Sequence, residues 1–212
     1  MLDNYITKYS NTNYSINKKN GIRYYYIADI AIPSVTSILA STRNYHQLST
    51  NNYQSNSMII GNYMHKYLDH YISKSELPDE NNENYTIAKK LAHKLLDNYI
   101  IELDEIWGTE ITVNYKNNFA GTIDLICFSD NNIKLIDYKS SSRKKTKREL
   151  DEFFLQLAAY SMAHDWQFQS NIENIILLIC YRNGKYEKIE ITKDELEKYK
   201  KIWLSRLVLF GE

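Results

Sequence analysis

The sequence predicts an α+β fold, helices first and then a central mixed sheet with one crossover helix, and three observations carry that prediction. Residues 106–115, 119–128 and 133–138 are apolar runs separated by short polar turns, which reads as a three-stranded meander. Residues 149–163 then place Phe153, Leu157 and Tyr160 on one helical stripe, and the buried-strand run 175–181 follows at once, so this helix is the crossover. Ahead of the meander, helical patterns over residues 57–73 and 85–104 flank the polar linker Leu77-Pro78-Asp79-Glu80-Asn81-Asn82 and form an N-terminal helical arch.

The remaining elements follow in order. Residues 24–30 are strand-like, and Pro33 opens a short helix with Ser34 placed as its cap. After the strand at 175–181, Arg182-Asn183-Gly184-Lys185 is a turn, 186–191 a further strand and 193–209 a closing helix. Residues 1–212 read as one domain, with a strand-and-helix part over 1–105 and an αβ core over 106–212.

Lys plus Arg and Asp plus Glu number 26 each, so no global field advertises a polyanion and any attraction must be local. The loop Ser140-Ser141-Ser142-Arg143-Lys144-Lys145-Thr146-Lys147-Arg148 is such a place: five cations with no acid until Glu149. Cys127 and Cys180 both lie in apolar runs and read as buried reduced thiols of a cytoplasmic protein, too few for a zinc or iron–sulfur site. No stretch is long and apolar enough for a membrane span or a secretory signal, and the first twenty residues contain no Arg, unlike a transit peptide.

The chemistry concentrates at Asp124 and at Ile136-Asp137-Tyr138-Lys139. In a strand, side chains two apart share a face, so Asp137 and Lys139 project together while Ile136 and Tyr138 point the other way. A hairpin through Ser129-Asp130-Asn131-Asn132 sets Asp124 beside Asp137. An isolated Asp-x-Lys is ordinarily solvated, but these acids interrupt apolar strands, where an unpaired charge is costly. Two close carboxylates call for a cation between them, and an all-oxygen site favours Mg2+ or Mn2+. Lys139 can then steer or deprotonate an attacking water, or offset charge on a phosphate.

Six segments in order resemble the RecB-like branch of the PD-(D/E)xK nuclease superfamily, and within it the mitochondrial genome maintenance exonuclease with its phage and bacterial relatives. They are Pro33-Ser34-Val35-Thr36-Ser37-Ile38-Leu39, Gly61-Asn62-Tyr63-Met64-His65, Glu110, Ala120-Gly121-Thr122-Ile123-Asp124, Ile136-Asp137-Tyr138-Lys139-Ser140-Ser141 and Gln156-Leu157-Ala158-Ala159-Tyr160, spread over most of residues 24–207. Ile123 stands where the family has Pro, and Asp137 where it has Glu; the metal-binding oxygens are kept.

The resemblance implies a restriction-endonuclease-like core in which Asp124, Asp137 and the Tyr138 carbonyl bind metal and Lys139 is the catalytic base or orients water. His65 is implied to lie near the metal, although a lone helical His is ordinarily surface or core filler. Glu110 matches only loosely, since the family's acid is helix-borne and Glu110 reads as the start of a strand, pairing with Lys139 or a ligand water. Gln156 and Tyr160, one helical turn apart, resemble the pair that contacts substrate phosphate and braces the Lys. For Thr36 and Ser34, hydroxyls beside the free N–H groups of a helix start suggest phosphate contact, although capping alone explains Ser34. Ser140, Ser141, Arg143, Lys144 and Lys145 are the expected DNA contacts of the basic loop, and Tyr45, Tyr53, Tyr63 and Tyr67 offer stacking surfaces.

The expected function is therefore a divalent-metal-dependent DNA exonuclease of replication, repair or recombination, monomeric and cytoplasmic (a host's cytoplasm if phage- or virus-encoded), preferring single strands or DNA ends. A structure-specific endonuclease would use the same site with different access. A non-catalytic binder has no reason to keep two mutually repelling acids.

Overall fold

The computed structural model of the chain describes residues 4–9, 14–43 and 56–211. Three short antiparallel strands come first, β1 (Ser15–Lys19), β2 (Ile22–Ile27) and β3 (Ile30–Pro33). The single strand expected over 24–30 is thus two strands and a turn. Ala28 adopts a left-handed φ of 49°, which breaks the extended run between Ile27 and Ile30. The β1–β2 turn is Asn20-Gly21, both at positive φ, the turn chemistry that matches strand twist. Helix α1 (Val35–Ser41) follows, capped by Ser34, whose side chain accepts from the Ser37 N–H.

Helices α2 (Asn56–Ile72) and α3 (Glu83–Asn98) pack on each other, α3 being capped by Asn82. α3 stops at Asn98, short of the expected end at 104, because Tyr99 leaves helical geometry and a 3-10 turn, Ile100–Glu102, takes over. The meander β4 (Glu105–Tyr115), β5 (Phe119–Ser129) and β6 (Asn132–Ser141) is antiparallel as expected. Crossover helix α4 (Lys147–Phe168) leads to β7 (Asn174–Tyr181), parallel to β6, and β8 (Tyr186–Ile191) closes a five-stranded sheet in sequential order before α5 (Lys193–Gly211). α4 begins ahead of the expected Glu149 because Thr146 and Glu149 form a reciprocal capping box.

Two cores sandwich this sheet. On one face Leu135, Leu177 and Ile179 meet α1, α4 and α5 through Ile38, Leu157 and Trp203; on the other Leu125, Ile136, Tyr138 and Leu178 meet α2 and α3 through Met64, Leu68 and Leu95. Each fully buried Leu or Ile contributes roughly 1.5 to 3 kcal/mol, so the sheet ends are firmly held between α2 and α4. Cys127 and Cys180 are buried free thiols, pushed up to about 12 by burial, which keeps them protonated. Among the described residues no helix is long and apolar enough to cross a membrane.

His164 of α4 gives this core a pH dependence. It is fully buried among Tyr9 and Phe168, with Nδ1 2.7 Å from the Ser170 hydroxyl and, among the described residues, no partner for Nε2, and burial pushes it down to about 4. The unfolded chain, at about 6.5, binds the proton more tightly, so stability falls as pH drops from about 6.5 to about 4, by up to about 3 kcal/mol. Urea unfolding across that range should show His164→Phe with a shallower acid loss than wild type. Identical slopes would show that His164 takes up no extra proton on unfolding.

Candidate metal and nucleic-acid site

The hairpin register Leu125↔Ile136 brings Asp124 level with Asp137. Asp124 Oδ2 accepts from the Tyr138 backbone N–H at 2.6 Å, which locks the two strand ends together. Period-two alternation sends Ile136 and Tyr138 into the α2/α3 core, and Asp137 and Lys139 toward α4. There the Lys139 ammonium is ion-paired with Asp137 Oδ2 and lies 5.2 Å from the centre of the Phe153 ring. The Gln156 amide donates to Asp137 Oδ1 at 3.4 Å and to the Tyr160 hydroxyl at 3.0 Å. Tyr160 reaches this position because Gly121 has no side chain: a Cβ there would collide with its ring.

From the other side α2 delivers His65. Its Nδ1 is 3.2 Å from Asp124 Oδ1 and 3.8 Å from Glu110 Oε1, and its Nε2 is 3.0 Å from the Tyr138 carbonyl oxygen. Glu110 is therefore mid-strand in β4, not at a strand start, and it faces His65 and not Lys139. Its backbone is left-handed, φ 50°, an uncommon and costly state for a non-glycine residue. Across the ladder the alternation of β5 breaks at the same level: Ile123 enters the α4-side core and Leu125 the α2-side core, with Asp124 between them. The distortion is what turns Glu110 and Asp124 toward one helix.

The electrostatics describe a cleft that demands positive charge. Burial alone would lower His65, but Asp124 and then Glu110 outweigh it and hold the imidazole up at about 10. Burial works against ionised Asp124 as well; the charge and hydrogen bond of His65, then Lys139, bring it below the usual carboxylate range. Asp137 goes the other way, to about 6, because burial, with repulsion from Asp124, exceeds the help of Lys139. Glu110 is raised, by burial first and by Asp124 as well. Ligand atoms of His65, Glu110 and Asp124 lie within 4.8 Å of one another, and this oxygen-rich set with one imidazole fits a divalent cation, which would take the place of the His65 proton.

His65, Glu110, Asp124, Asp137, Tyr138, Lys139, Ser140, Gln156, Tyr160 and Thr36 all line one cleft of about 700 Å³. Other expected contacts lie elsewhere. Ser34 is fully buried and its hydroxyl is engaged in the α1 cap, leaving no surface for a phosphate. Ser141 is buried and bonded to the Arg143 backbone. The basic loop is partly neutralised, because Glu149 folds back onto Arg143 at 2.9 Å and Lys145 at 3.2 Å; Lys144 is exposed outside the cleft. Tyr67 is core, bonded to His93, and Tyr63 donates to Glu80; Tyr45 and Tyr53 lie outside the described residues. Arg23, Tyr25 and Thr122 also line the cleft; sequence reasoning misses them, and the one signal that could have found their surroundings is the Asn20-Gly21 pair, a hairpin turn that implies a further strand.

No curated protein matches the sequence. The crystal structure of a "Putative exonuclease" from Eubacterium rectale superposes with a TM-score of 0.54 at 13% identity, over 76% of this chain and 69% of that one. SSO0001 aligns over 81% of this chain and 83% of its own at 16% identity, but its TM-score of 0.32 is too low to support an argument. The sequence profile of the PD-(D/E)XK nuclease superfamily matches residues 100–206, β4 through most of α5 and just over half of the chain. The chain therefore belongs to the PD-(D/E)XK nuclease superfamily.

Proposed function

We propose that this protein is a divalent-metal-dependent DNA exonuclease of the RecB-like branch, similar to the mitochondrial genome maintenance exonuclease and acting on single strands or DNA ends. The observation that carries the reading is the convergence of His65, Glu110, Asp124, Asp137 and Lys139, drawn from four elements, on one open cleft. The fold likeness to the Eubacterium rectale protein supports the exonuclease assignment.

His65, Glu110, Asp124, Asp137 and the Tyr138 carbonyl are the groups that would hold Mg2+ or Mn2+. Such a cation supplies Lewis-acid polarisation of the phosphate and lowers the pKa of water. Lys139 stands beside Asp137, where its ammonium orients the attacking water and offsets charge growing on the phosphate. Gln156 fixes Asp137, and Tyr160 fixes Gln156, so the carboxylate would be presented to the cation in one geometry. Water attacks phosphorus in line, the bond to the 3′-oxygen breaks, that oxygen takes a proton, and the product carries a 5′-phosphate. Thr36 and Ser140 border the strand path.

Purified protein should degrade end-labelled linear single-stranded DNA with Mg2+, stop in EDTA, and spare a circular single strand. Cutting the circle makes the enzyme an endonuclease; inertness toward linear, duplex and circular DNA with either metal overturns the reading. His65→Ala should slow cleavage on the order of 100-fold in Mg2+, with partial rescue by Mn2+, which accepts nitrogen and irregular ligand sets more readily. Unchanged rates in both metals would make His65 a packing residue.

A further inference from the structure

The acid-lined cleft adjoins a second groove, of about 630 Å³, on the N-terminal sheet, and the two share Arg23, Thr36 and Met58 in their walls. Arg23 stands at this junction on β2. Its backbone is fixed on both sides, the N–H donating to Ser37 Oγ at 2.9 Å and the carbonyl accepting from the Ser34 N–H at 2.8 Å. Its Nη2 donates to Thr36 Oγ1 at 3.2 Å, the guanidinium lies 5.5 Å from the centre of the Tyr25 ring, and the Tyr25 hydroxyl is 3.0 Å from Thr122 Oγ1 on the strand that carries Asp124.

This anchored guanidinium is incompletely used. Among the described residues its buried Nε has no hydrogen-bond partner and no carboxylate is ion-paired with it. Leaving a buried charged donor unmet is costly, so such a group is kept for a partner that arrives later. A guanidinium presents parallel N–H donors in a rigid fork that fits two oxygens of one anion, and phosphate is the anion whose geometry matches. Lys18 and Asn20 continue the groove beyond Arg23, away from the acids.

We propose that Arg23 is a phosphate clamp, gripping through two N–H donors a phosphodiester that flanks the scissile one, while the strand leaves along the groove past Lys18 and Asn20. Thr36 is then a positioning residue that holds the guanidinium. The clamp reads backbone and not bases, so it carries no sequence preference. This inference rests on the nuclease reading, and it assigns the strand's direction of exit to the N-terminal sheet, outside the segment matched by the family profile.

The test is binding of a short fluorescent single-stranded oligonucleotide in EDTA, where cleavage plays no part. Arg23→Ala should weaken Kd about 10- to 30-fold and reduce the slope of log K against log salt by about 0.7. Arg23→Lys should keep the slope and lose about 3- to 10-fold, since a point charge replaces the fork. A neutral methylphosphonate moved along the oligonucleotide should weaken wild type at one position beside the cut site and leave Arg23→Ala indifferent there. Thr36→Val should weaken binding only when Arg23 is present, and Thr36→Ser should restore it. Wild-type affinity and slope in Arg23→Ala, or a methylphosphonate penalty equal in both proteins, overturns the clamp. Should Arg23→Ala melt early, the methylphosphonate scan on Arg23→Lys decides: loss of the fork should shrink the penalty at that position, and an undiminished penalty overturns the clamp. Wild type that binds yet never cuts with Mg2+ defeats the nuclease reading, and the clamp is still judged on Kd. Wild type that cuts while Arg23→Ala binds normally defeats the clamp alone.

Discussion

Asp137→Asn should reduce cleavage of single-stranded DNA with Mg2+ by at least about 1,000-fold, the scale of losing a group the reaction cannot replace. Asn keeps an oxygen for the Gln156 amide but removes the negative charge that Lys139 and a cation both need. The same change should not cost stability. Without metal, burial holds Asp137 at about 6, above its unfolded value of about 4. The stabilising proton is present below about 4 and lost as pH rises through about 6, so at neutral pH the wild type carries the cost of a buried charge and the Asn variant does not. Tm in EDTA at pH about 7.5 should therefore equal or exceed wild type. Near wild-type cleavage would remove Asp137 from the site, and a large fall in Tm would make it a structural residue.

Lys139→Ala should lower single-turnover cleavage about 1,000-fold while DNA affinity stays within about 3-fold of wild type. In the proposed mechanism the ammonium would act on water and on the charge that grows in the transition state, so its removal should separate turnover from binding. Lys139→Arg should fail to restore activity, because a planar fork paired with Asp137 cannot place one compact charge where the amine stood. A variant that keeps its turnover number and loses affinity would turn Lys139 into a phosphate anchor.

What the sequence made legible was local and periodic. Asp137, Lys139 and the hairpin that brings Asp124 alongside follow from strand alternation and a polar turn, and the structure places them together. The crossover helix and its parallel partner strand follow from one helical stripe and one buried run. Glu110 was obscured because its left-handed backbone breaks the period on which strand reading depends. The run 24–30 reads as one strand because the β2–β3 turn rests on Ala28, a residue with no turn preference, and β1 lies beyond the Asn20-Gly21 turn, outside the expected strand. The basic loop looked stronger than it is, since a charge count along the chain cannot show Glu149 folding back onto Arg143 and Lys145. Arg23 was invisible for a related reason: an Arg in a strand has no signature until its neighbours are known, and among the described residues they leave its Nε without a partner.

Whether His65, Glu110, Asp124 and Asp137 together hold a divalent cation is decided by titration of the purified protein with Mn2+, followed by electron paramagnetic resonance. Wild type should withdraw Mn2+ from the free-ion signal at saturable sites that Mg2+ competes for, and Asp124→Asn, whose oxygen can still accept from the Tyr138 N–H, should remain folded and lose that binding. Binding of equal strength and stoichiometry in Asp124→Asn, or no saturable binding in wild type, would mean that these four residues hold no cation.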